Sequence, residues 1–509
     1  MNEKTIVIIG AGVGGLSAGI HAAQQGFHPI ILEKNPSVGG LCTGWYRQGH
    51  YVDGCIHWLT GTNPNTQLYK MWRNVGAIDD ETKIINLDTW GTFNYQGTEI
   101  RLHRDIKKTE EEWIKISPED KKEIKHFFKM IRDFNSIELP LDCPASMMKP
   151  WKLLFLGLDV LNVWPSYLRT MKITCEQYAK KFKSPAIRWA LLHAQPGDGN
   201  LFSLLYSFAT IASGNGGIPE GGSKPLVERM KNRFLELGGT LKLNAEVKHI
   251  LTRKGKCIGV ICKDGTKYYS DYVISALDPN YSISHLLLNQ YHLPKLDKRF
   301  FELKKNPCPS CFMITFEMND CDIPTPYSFE TEPFFVGGRE ISHLTVRNYN
   351  YDRKTYVKDG KTLMSVLLDQ YSENYEYWNS LYKNDPVDYR LKKQEIAEVV
   401  KSKIIKQFPF LTDNLKIIDT FTPKTLNRYT NASRGSYMGF LFTHRNVMFH
   451  HNGTIKGLKN FYLSGQWMQA PGGLPLAMTQ GMFAIQRICK KEKLSYAFYG
   501  GKLLSKKNA

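Results

Sequence analysis

A glycine-rich turn near the start of the chain constrains its fold more than any other feature. An apolar run at residues 6–9 leads into Gly10, Gly12 and Gly15, and apolar residues then recur at helical spacing. Gly10 allows a tight turn, Gly12 lets the backbone approach a pyrophosphate, and Gly15 lets the helix pack closely on the strand. Because a helix N-terminus attracts negative charge, the pattern predicts a strand, turn and helix that hold a phosphate group.

The next apolar segment makes this site specific for a dinucleotide. Residues 28–34, HPIILEK, read as a second strand that ends in Glu33. Glu33 follows Gly15 at the distance where a carboxylate accepts hydrogen bonds from ribose hydroxyls. A glycine-rich turn without a ligand would not need this carboxylate. The two features together therefore predict a Rossmann-type nucleotide site.

The residues after the second strand separate FAD from NAD. A Gly39-Gly40 pair follows the strand, and the stretch DGCIHWLTG at 53–61 comes after a polar, glycine-rich excursion. This arrangement resembles the flavoprotein superfamily of amine oxidases, phytoene desaturases, carotenoid isomerases and retinol saturases. The resemblance implies FAD as cofactor. It also implies that the Gly39-Gly40 pair extends the pyrophosphate site and that residues 53–61 run beside the isoalloxazine ring.

Two later stretches resemble the same family. Residues 216–279 contain a glycine-rich loop, a helix with an apolar stripe at Leu226, Met230 and Phe234, a Gly238-Gly239 helix end and several strands. The turn KDG at 263–265 predicts a hairpin. Near the C-terminus, a strand, Gly465 and a helix from about Leu474 are predicted, with the helix N-terminus aimed at the flavin or ribityl phosphate.

The resemblance implies a set of cofactor-binding residues. In that set Val247 meets the adenine through its backbone, and Gln466 stands where the family often has an acidic residue. An amide can still bond to ribityl hydroxyls. The full set is Gly10, Ala11, Gly12, Gly14, Gly15, Glu33, Lys34, Gly39, Gly40, Leu41, Trp58, Val247, Gly465, Gln466 and Leu474.

The order of these motifs predicts the domain organisation. The chain has 509 residues, 42% of them apolar and 23% charged, which is enough for two or three globular lobes. The predicted fold class is α/β, a Rossmann-type FAD-binding domain of the amine-oxidase kind with an inserted α+β substrate lobe. The discontinuous FAD-binding domain takes residues 1–70, 216–284 and 435–495. Residues 71–215 form a mainly helical substrate- or membrane-facing lobe, and 285–434 a sheet-containing substrate domain.

The candidate catalytic residues come from two places. His57 lies in the stretch that the resemblance sets beside the flavin, and an imidazole suits acid–base work near neutral pH. Arg428 and Tyr429 lie in a segment that resembles the loop before the last cofactor motif of carotenoid isomerases and retinol saturases. Each of the three can instead have a structural or solvent-facing role.

The most hydrophobic window of the chain, residues 149–172, is too short and too charged to span a bilayer. It can be a buried helix, or it can lie in a membrane interface with Trp151, Trp164 and Tyr167 at headgroup depth. The formal charge of +19 suits an anionic membrane surface, although it can also reflect a lysine-rich solvated surface. We therefore expect peripheral membrane contact. No motif for nucleic acid is present, and nucleic acid is not expected as a partner.

Cysteine usage indicates a reducing compartment. The ten cysteines show no framework spacing, and a strand from Thr5 leaves no room for a secretory leader, so a cytoplasmic location is expected. Cys308 and Cys311 form a C-x-x-C pair that can be redox-active or metal-binding. The pair leads directly into a strand and no second pair complements it. A structural role is therefore favoured, and no metal site is predicted.

These features together predict an FAD-dependent oxidoreductase acting on carbon–carbon bonds. The resemblance implies an apolar substrate, such as a carotenoid, a retinoid or an unsaturated fatty-acid-like molecule, that is desaturated, saturated or isomerised by hydride transfer at flavin N5. A flavin amine oxidase is the enzymatic alternative. A prenyl or lipid carrier of the same fold without flavin is the alternative from another class. Substrate identity, reaction direction and oligomeric state stay open.

Overall fold

The computed structural model describes residues 4–134, 141–148, 169–195, 199–443 and 449–497. Most of the hydrophobic window lies outside these ranges, at 149–168, so both interpretations of that window stay predictions. None of the helices in the described part of the chain is both long and apolar enough to cross a bilayer.

A five-stranded parallel sheet forms the core of the nucleotide-binding half. Its central strand is the apolar run after Lys4, which is buried on both faces, as strands of parallel sheets usually are. All five strands come from the three segments predicted for the FAD-binding domain. In spatial order they are Thr240–Lys242, His28–Leu32, Thr5–Ile9, Tyr272–Ser275 and Phe461–Leu463.

A seven-stranded sheet forms the other half of the molecule. It is antiparallel except where residues 327–329 pair in parallel with residues 92–94. In spatial order its strands are Lys416–Phe421, Pro309–Asn319, Lys361–Tyr371, Arg339–Asn348, Tyr327–Val336, Thr89–Tyr95 and Thr98–His103.

This sheet joins the two segments that were predicted as separate substrate units. The strands Thr89–Tyr95 and Thr98–His103 belong to the segment 71–215, which we expected to be mainly helical, yet they extend the sheet of the segment 285–434. Their hairpin turns through Gln96 and Gly97, both with positive φ. That geometry suits the twist of two antiparallel strands. The two segments therefore form one inserted lobe.

Smaller sheets connect the two halves. An antiparallel sheet contains Val247–Arg253, Lys256–Cys262 and Lys267–Tyr269, and the last two strands are joined by the predicted KDG turn. The other strands are Gly44–Arg47, which pairs with His50–Asp53, and Gly216–Pro219, which pairs with Leu59–Thr60 and Ile84–Ile85.

Two sequence expectations in this region are wrong in detail. Residues 216–219 were expected as a loop but form a strand, because they pair with strands from two other parts of the chain. The stretch 240–251 was expected as one strand but is divided between two sheets. Asn244, with φ of +54°, interrupts the extended backbone between them.

The helices pack on both sheets. The predicted apolar stripe of the helix Ser223–Glu236 is buried in the nucleotide-binding half, and an aromatic cluster around Trp113 and Phe127 fills the helical part of the inserted lobe. The helices are Val13–Gln24, Gln67–Asn74, Ile106–Ile116, Lys121–Phe134, Cys175–Ala179, Pro185–His193, Leu201–Ala212, Ser223–Glu236, Pro279–Tyr281, Pro294–Phe301, Arg353–Tyr356, Tyr375–Asn384, Pro386–Gln407, Pro423–Thr430 and Leu474–Lys491.

The first and the last of these helices pack against each other through glycine. A Cβ added at Gly481 would lie 2.4 Å from the carbonyl oxygen of Gly14 and 2.8 Å from the amide nitrogen of Ala18. Beside this contact, the Ser17 hydroxyl donates to the carbonyl oxygen of Met478 at 2.7 Å. The C-terminal helix is therefore held against the first glycine motif by backbone contact.

We predict that Gly481→Ala destabilises the protein although alanine is the better helix former. The close packing should cost about 1–3 kcal/mol, which exceeds the gain of about 1 kcal/mol in helix propensity. Thermal unfolding would show this as a lower Tm. Gly199→Ala is the control, because the atom nearest to its added Cβ, Gln195 Oε1, is 3.7 Å away. An unchanged or higher Tm for Gly481→Ala would contradict the close approach of the two helices.

Candidate active site

The glycine motif forms an open helix N-terminus. The backbone at Gly10 has φ of +95°, and a Cβ there would contact Leu277 at 2.7 Å. Gly12 is the N-cap of the helix Val13–Gln24, and no side chain caps it. The first N–H groups of that helix therefore lack side-chain partners and can hold a phosphate.

The second glycine pair lies directly beside the first. The amide of Gly39 donates to the carbonyl oxygen of Ala11 at 2.9 Å, and Gly39 and Gly40 have φ of +116° and +60°. A Cβ on Gly39 would lie 2.3 Å from the carbonyl oxygen of Cys42. Both turns, together with Leu41, border one cavity.

Glu33 is fixed at the end of the second strand. One carboxylate oxygen accepts from the amide of Ala11 at 2.8 Å, and the other accepts from the backbone and side-chain amides of Asn35 at 2.9 Å. The side chain is buried but borders the cavity. A carboxylate oxygen can accept two hydrogen bonds, and the oxygen that faces Ala11 accepts only one from the protein. Glu33 can therefore still accept a hydrogen bond from a ribose hydroxyl. Val247 lies on the same part of the cavity wall.

The C-terminal motif closes the cradle from the other side. Gly465 has φ of +99°, and the helix Leu474–Lys491 begins after Gly473, as predicted. The Gln466 side chain accepts from the amide of Gly473 at 3.1 Å and donates to the carbonyl oxygen of Tyr437 at 3.3 Å. Gln466 therefore ties two loops together, and it also borders the cavity with Gly465 and Leu474.

These elements border one cavity that reaches from the glycine motifs into the inserted lobe. Its volume of about 1030 Å³ is at the upper end of the range for ligand pockets, about 300–1,000 Å³. At the nucleotide end its wall is glycine backbone and Glu33. In the inserted lobe the wall combines polar and charged side chains with aromatic ones, among them Trp90, Phe93, Phe202 and Phe442.

His57 and Trp58 lie where the two parts of the cavity meet. Both border the large cavity and also a side cavity of about 20 Å³. Burial and the nearby charge of Arg347 hold the pKa of His57 well below its usual value. The imidazole is therefore neutral at physiological pH.

Arg428 and Tyr429 are placed at the nucleotide end. The Lys34 ammonium donates to the carbonyl oxygen of Arg428 at 3.0 Å, and the Asn35 side chain donates to that of Tyr429 at 3.1 Å. The helix Pro423–Thr430 ends there, beside the segment that carries Glu33. This position is compatible with nucleotide contact, and the catalytic role of Arg428 and Tyr429 stays a prediction.

The strands of the inserted lobe contribute charged residues that the sequence interpretation missed. Arg339, His343 and Arg347 lie on one face of the strand Arg339–Asn348 and border the cavity, as does Asp369 on the neighbouring strand. Burial, partly offset by the Arg339 charge, raises the pKa of Asp369 to about 6. The stretch REISHLTVRN carries a polar residue at most odd positions, and this alternation was the available signal.

The cysteine pair has the character of core residues. Cys308 and Cys311 are free and buried, and burial raises the pKa of the Cys308 thiol to about 12 and that of Cys311 further. Such thiols do not ionise at neutral pH, which disfavours redox chemistry. In the described part of the chain, no three His, Cys, Asp or Glu residues are grouped in a way that could hold a metal ion.

The geometry of the glycine turn fits the pyrophosphate of FAD. It also predicts different effects for alanine substitutions at Gly12 and at Gly15. At Gly12 the backbone is extended, and the nearest atom to an added Cβ is 3.7 Å away, so Gly12→Ala has room within the protein. At Gly15 an added Cβ would lie 1.9 Å from the carbonyl oxygen of Gly10. The first variant therefore tests the space for the ligand, and the second tests the turn itself.

We predict that Gly12→Ala folds normally but loses at least about 90% of its bound FAD, because the methyl group occupies the phosphate approach. Gly15→Ala should lose FAD and also unfold at a lower temperature. The ratio of flavin to protein absorbance and the Tm of the apoprotein measure the two effects. Wild-type FAD content in Gly12→Ala would contradict this placement of the pyrophosphate.

Comparisons with known proteins agree with this geometry. The chain is 23% identical to a 4,4'-diaponeurosporene oxygenase of Staphylococcus aureus, over 96% of this chain and 99% of that protein. It is 23% identical to prolycopene isomerase 2, chloroplastic, of an Oncidium hybrid cultivar, over 86% of this chain and 75% of that protein. A phytoene desaturase (neurosporene-forming) of Rhodobacter capsulatus is 26% identical over 58% of this chain and 57% of its own length.

Solved structures show the same fold. An oxidoreductase from Methanosarcina mazei matches with a TM-score of 0.58 and 16% identity, covering 95% of this chain and all of its own. A putrescine oxidase bound to putrescine matches with a TM-score of 0.54 and 13% identity, covering 96% and 99%.

The family comparison covers most of the chain, since residues 13–489 match the family of flavin containing amine oxidoreductases. This range includes the cradle from Gly14 to the C-terminal helix. The Rossmann-type FAD-binding fold, FAD as cofactor and an oxidoreductase activity are therefore established. The chain belongs to the flavin-containing amine oxidoreductase family, with relatives named as carotenoid desaturases and isomerases.

Proposed function

We propose that this flavoenzyme acts on carbon–carbon bonds of an apolar, unsaturated substrate, by desaturation, saturation or cis–trans isomerisation. The observation that carries the proposal is the cavity that extends from the FAD cradle into the inserted lobe, where its mainly apolar wall includes several aromatic side chains. Aromatic and aliphatic walls bind an unsaturated chain through burial of apolar surface. The names of the three relatives, which refer to diaponeurosporene, prolycopene and phytoene, support the same class.

The bound flavin supplies a site that accepts or gives a hydride at N5. The protein must then position the substrate carbon, exclude water and transfer one proton. His57, as a neutral imidazole at the junction of the cavity, is the first candidate for proton transfer. Asp369 is the second, because a carboxyl group with a pKa of about 6 can both take and give a proton near neutral pH.

The amine oxidase alternative is less well supported by the charge that acts on His57. An amine substrate is a cation in water, and the charge that acts on His57 is the positive charge of Arg347. Like charges at short distance in a low-dielectric cavity repel each other. The alternative of a carrier without flavin does not fit the family to which the chain belongs.

The proposal also includes docking at an anionic membrane surface, from which an apolar substrate can be withdrawn. The net charge of +19 supports this, because basic residues near a surface are attracted to anionic lipids. Arg169 and Lys172, at the end of the hydrophobic window, are both exposed.

We predict that the flavin spectrum responds to lipids and not to amines. The purified protein should show flavin absorbance, and anaerobic addition of a lipid extract from its host should bleach it if the enzyme desaturates. If the flavin stays oxidised, the enzyme is next reduced with dithionite and the extract is added again. Reoxidation of the flavin by the extract would then indicate a saturation reaction. Bleaching by putrescine or benzylamine, with no response to lipid in either state, would contradict the proposal and favour the amine oxidase.

We predict that Asp369→Asn stabilises the fold more at pH 8 than at pH 5. In the folded protein the pKa of Asp369 is about 6, above its usual value of 3.8. The folded state therefore keeps this proton up to a higher pH, and stability is lost as the pH rises from about 4 to about 6. The loss is at most about 3 kcal/mol, since one pKa unit corresponds to about 1.4 kcal/mol.

The difference in Tm between variant and wild type at the two pH values measures this effect. If Asp369 transfers the proton, Asp369→Asn should also remove an apparent pKa near 6 from the profile of kcat/KM. His343→Gln is a control from the same cavity, because burial already keeps His343 neutral with a pKa of about 3. A difference in Tm that does not depend on pH would contradict the raised pKa.

A further inference from the structure

Arg347 projects into the cavity beside the residue nearest to the proposed chemistry. It lies near the end of the strand Arg339–Asn348 and borders both the large cavity and the side cavity that His57 also borders. Arg347 and His57 border the same two cavities, and the Arg347 charge lowers the pKa of His57. Arg347 is thus a fixed positive charge at the junction between the FAD cradle and the substrate space.

This charge has no ionic partner within the described part of the protein. Among the described residues, the Arg347 guanidinium forms no salt bridge and no hydrogen bond to a side chain. Burial lowers the pKa of the Arg347 guanidinium. The phenols of Tyr349 and Tyr351 act in the opposite direction but do not cancel this effect. These phenols are un-ionised, because burial raises their own pKa.

The other arginine of the same strand, Arg339, has an acidic neighbour, although its Nε is buried without a hydrogen-bond partner. Arg339 interacts electrostatically with Asp369, and its guanidinium carbon lies 4.6 Å from the centroid of the Tyr371 ring. The two residues therefore share a strand and a cavity but differ in their partners. This contrast indicates that the isolation of Arg347 is a local property and not a general feature of the strand.

An isolated guanidinium in such a place is costly. Removing a charge from water without a partner costs several kcal/mol, and proteins compensate buried charges with opposite charges or hydrogen bonds. Arginine differs from lysine or a neutral residue at this position because its planar guanidinium carries five N–H donors. A guanidinium matches a carboxylate, because its parallel N–H groups can donate to both oxygens.

We propose that Arg347 binds a carboxylate group of the substrate, so that the enzyme acts on an unsaturated, apolar carboxylic acid and not on a pure hydrocarbon. The inference rests on the proposed function, which it deepens by naming the polar group of the substrate. His57 adds a neutral hydrogen-bonding group beside the carboxylate. The apolar chain then occupies the aromatic part of the cavity, along Trp90 and Phe93.

A binding experiment with matched ligands tests this assignment. The FAD-loaded protein is titrated calorimetrically with dodecanoate and with dodecan-1-ol, below their aggregation concentrations. Wild type should bind dodecanoate at least about 10-fold more tightly than the alcohol. In Arg347→Met the affinity for dodecanoate should fall about 10- to 100-fold, with less than about 3-fold change for the alcohol, which is the range expected for a lost charged hydrogen bond.

Two variants serve as controls. Arg347→Lys keeps the charge and should retain part of the preference for the acid. Arg339→Met removes a charge from the same strand and should leave the preference within about 3-fold of wild type. Retained FAD absorbance and a cooperative thermal unfolding transition show that each variant is folded. If Arg347→Met does not fold, the comparison of the two ligands on wild type still decides the proposal.

Several results would overturn the assignment. These are equal affinity of wild type for acid and alcohol, an equal loss of both ligands in Arg347→Met, or loss of the preference in Arg339→Met instead. Tighter binding of dodecyl phosphate than of dodecanoate, with the same dependence on Arg347, would assign a phosphate group in place of the carboxylate. Because binding is measured without turnover, failure of this inference is separate from failure of the redox proposal, which depends on the flavin spectrum.

Discussion

The whole site depends on one close approach of backbone, at the place where the two ends of the chain meet. A Cβ on Gly14 would lie 3.1 Å from both the Cα of Gly465 and the carbonyl oxygen of Ala477, and Gly481 meets Gly14 from the other side. Side chains at these positions would separate the first helix from the C-terminal helix. Both helices shape the proposed FAD cradle, because the first has an uncapped N-terminus that fits a pyrophosphate and the second borders the same cavity. Glycine is therefore required here because the two backbones lie too close for a side chain, and its conformational flexibility is less important.

The substrate side is organised by a sheet and not by glycine. Its seven strands come from two chain segments that meet in the parallel pairing of residues 92–94 with residues 327–329. That pairing brings Trp90 to the same wall as the strand of Arg347, and both then border the cavity next to His57. The FAD half is thus fixed by local geometry, whereas the substrate half is fixed by contacts between segments distant in sequence.

This difference explains what the sequence could predict. The turn at Gly10, the carboxylate of Glu33 and the helix start at Leu474 all follow from local rules of backbone geometry, and each is found where it was expected. The hairpin at 89–103 was missed because its strands gain their place through a distant sheet. Arg428 and Tyr429 were catalytic candidates because their segment resembles a family loop; their backbone carbonyls accept hydrogen bonds from Lys34 and Asn35, and their role stays a prediction.

The electrostatic roles of the charged residues in the cavity could not be predicted from the sequence either. They depend on which groups the fold brings next to each residue. Arg339 and Arg347 are the same residue type on the same face of one strand, yet only Arg339 has a carboxylate, Asp369, acting on it. The neutral state of His57 follows from burial together with the Arg347 charge. Arg339 thus has a carboxylate neighbour, whereas Arg347 faces the cavity without one. The cavity therefore offers a charged group to its ligand as well as apolar surface. The unbalanced charge requires a complementary group, and with no described carboxylate in reach, the ligand is the remaining source.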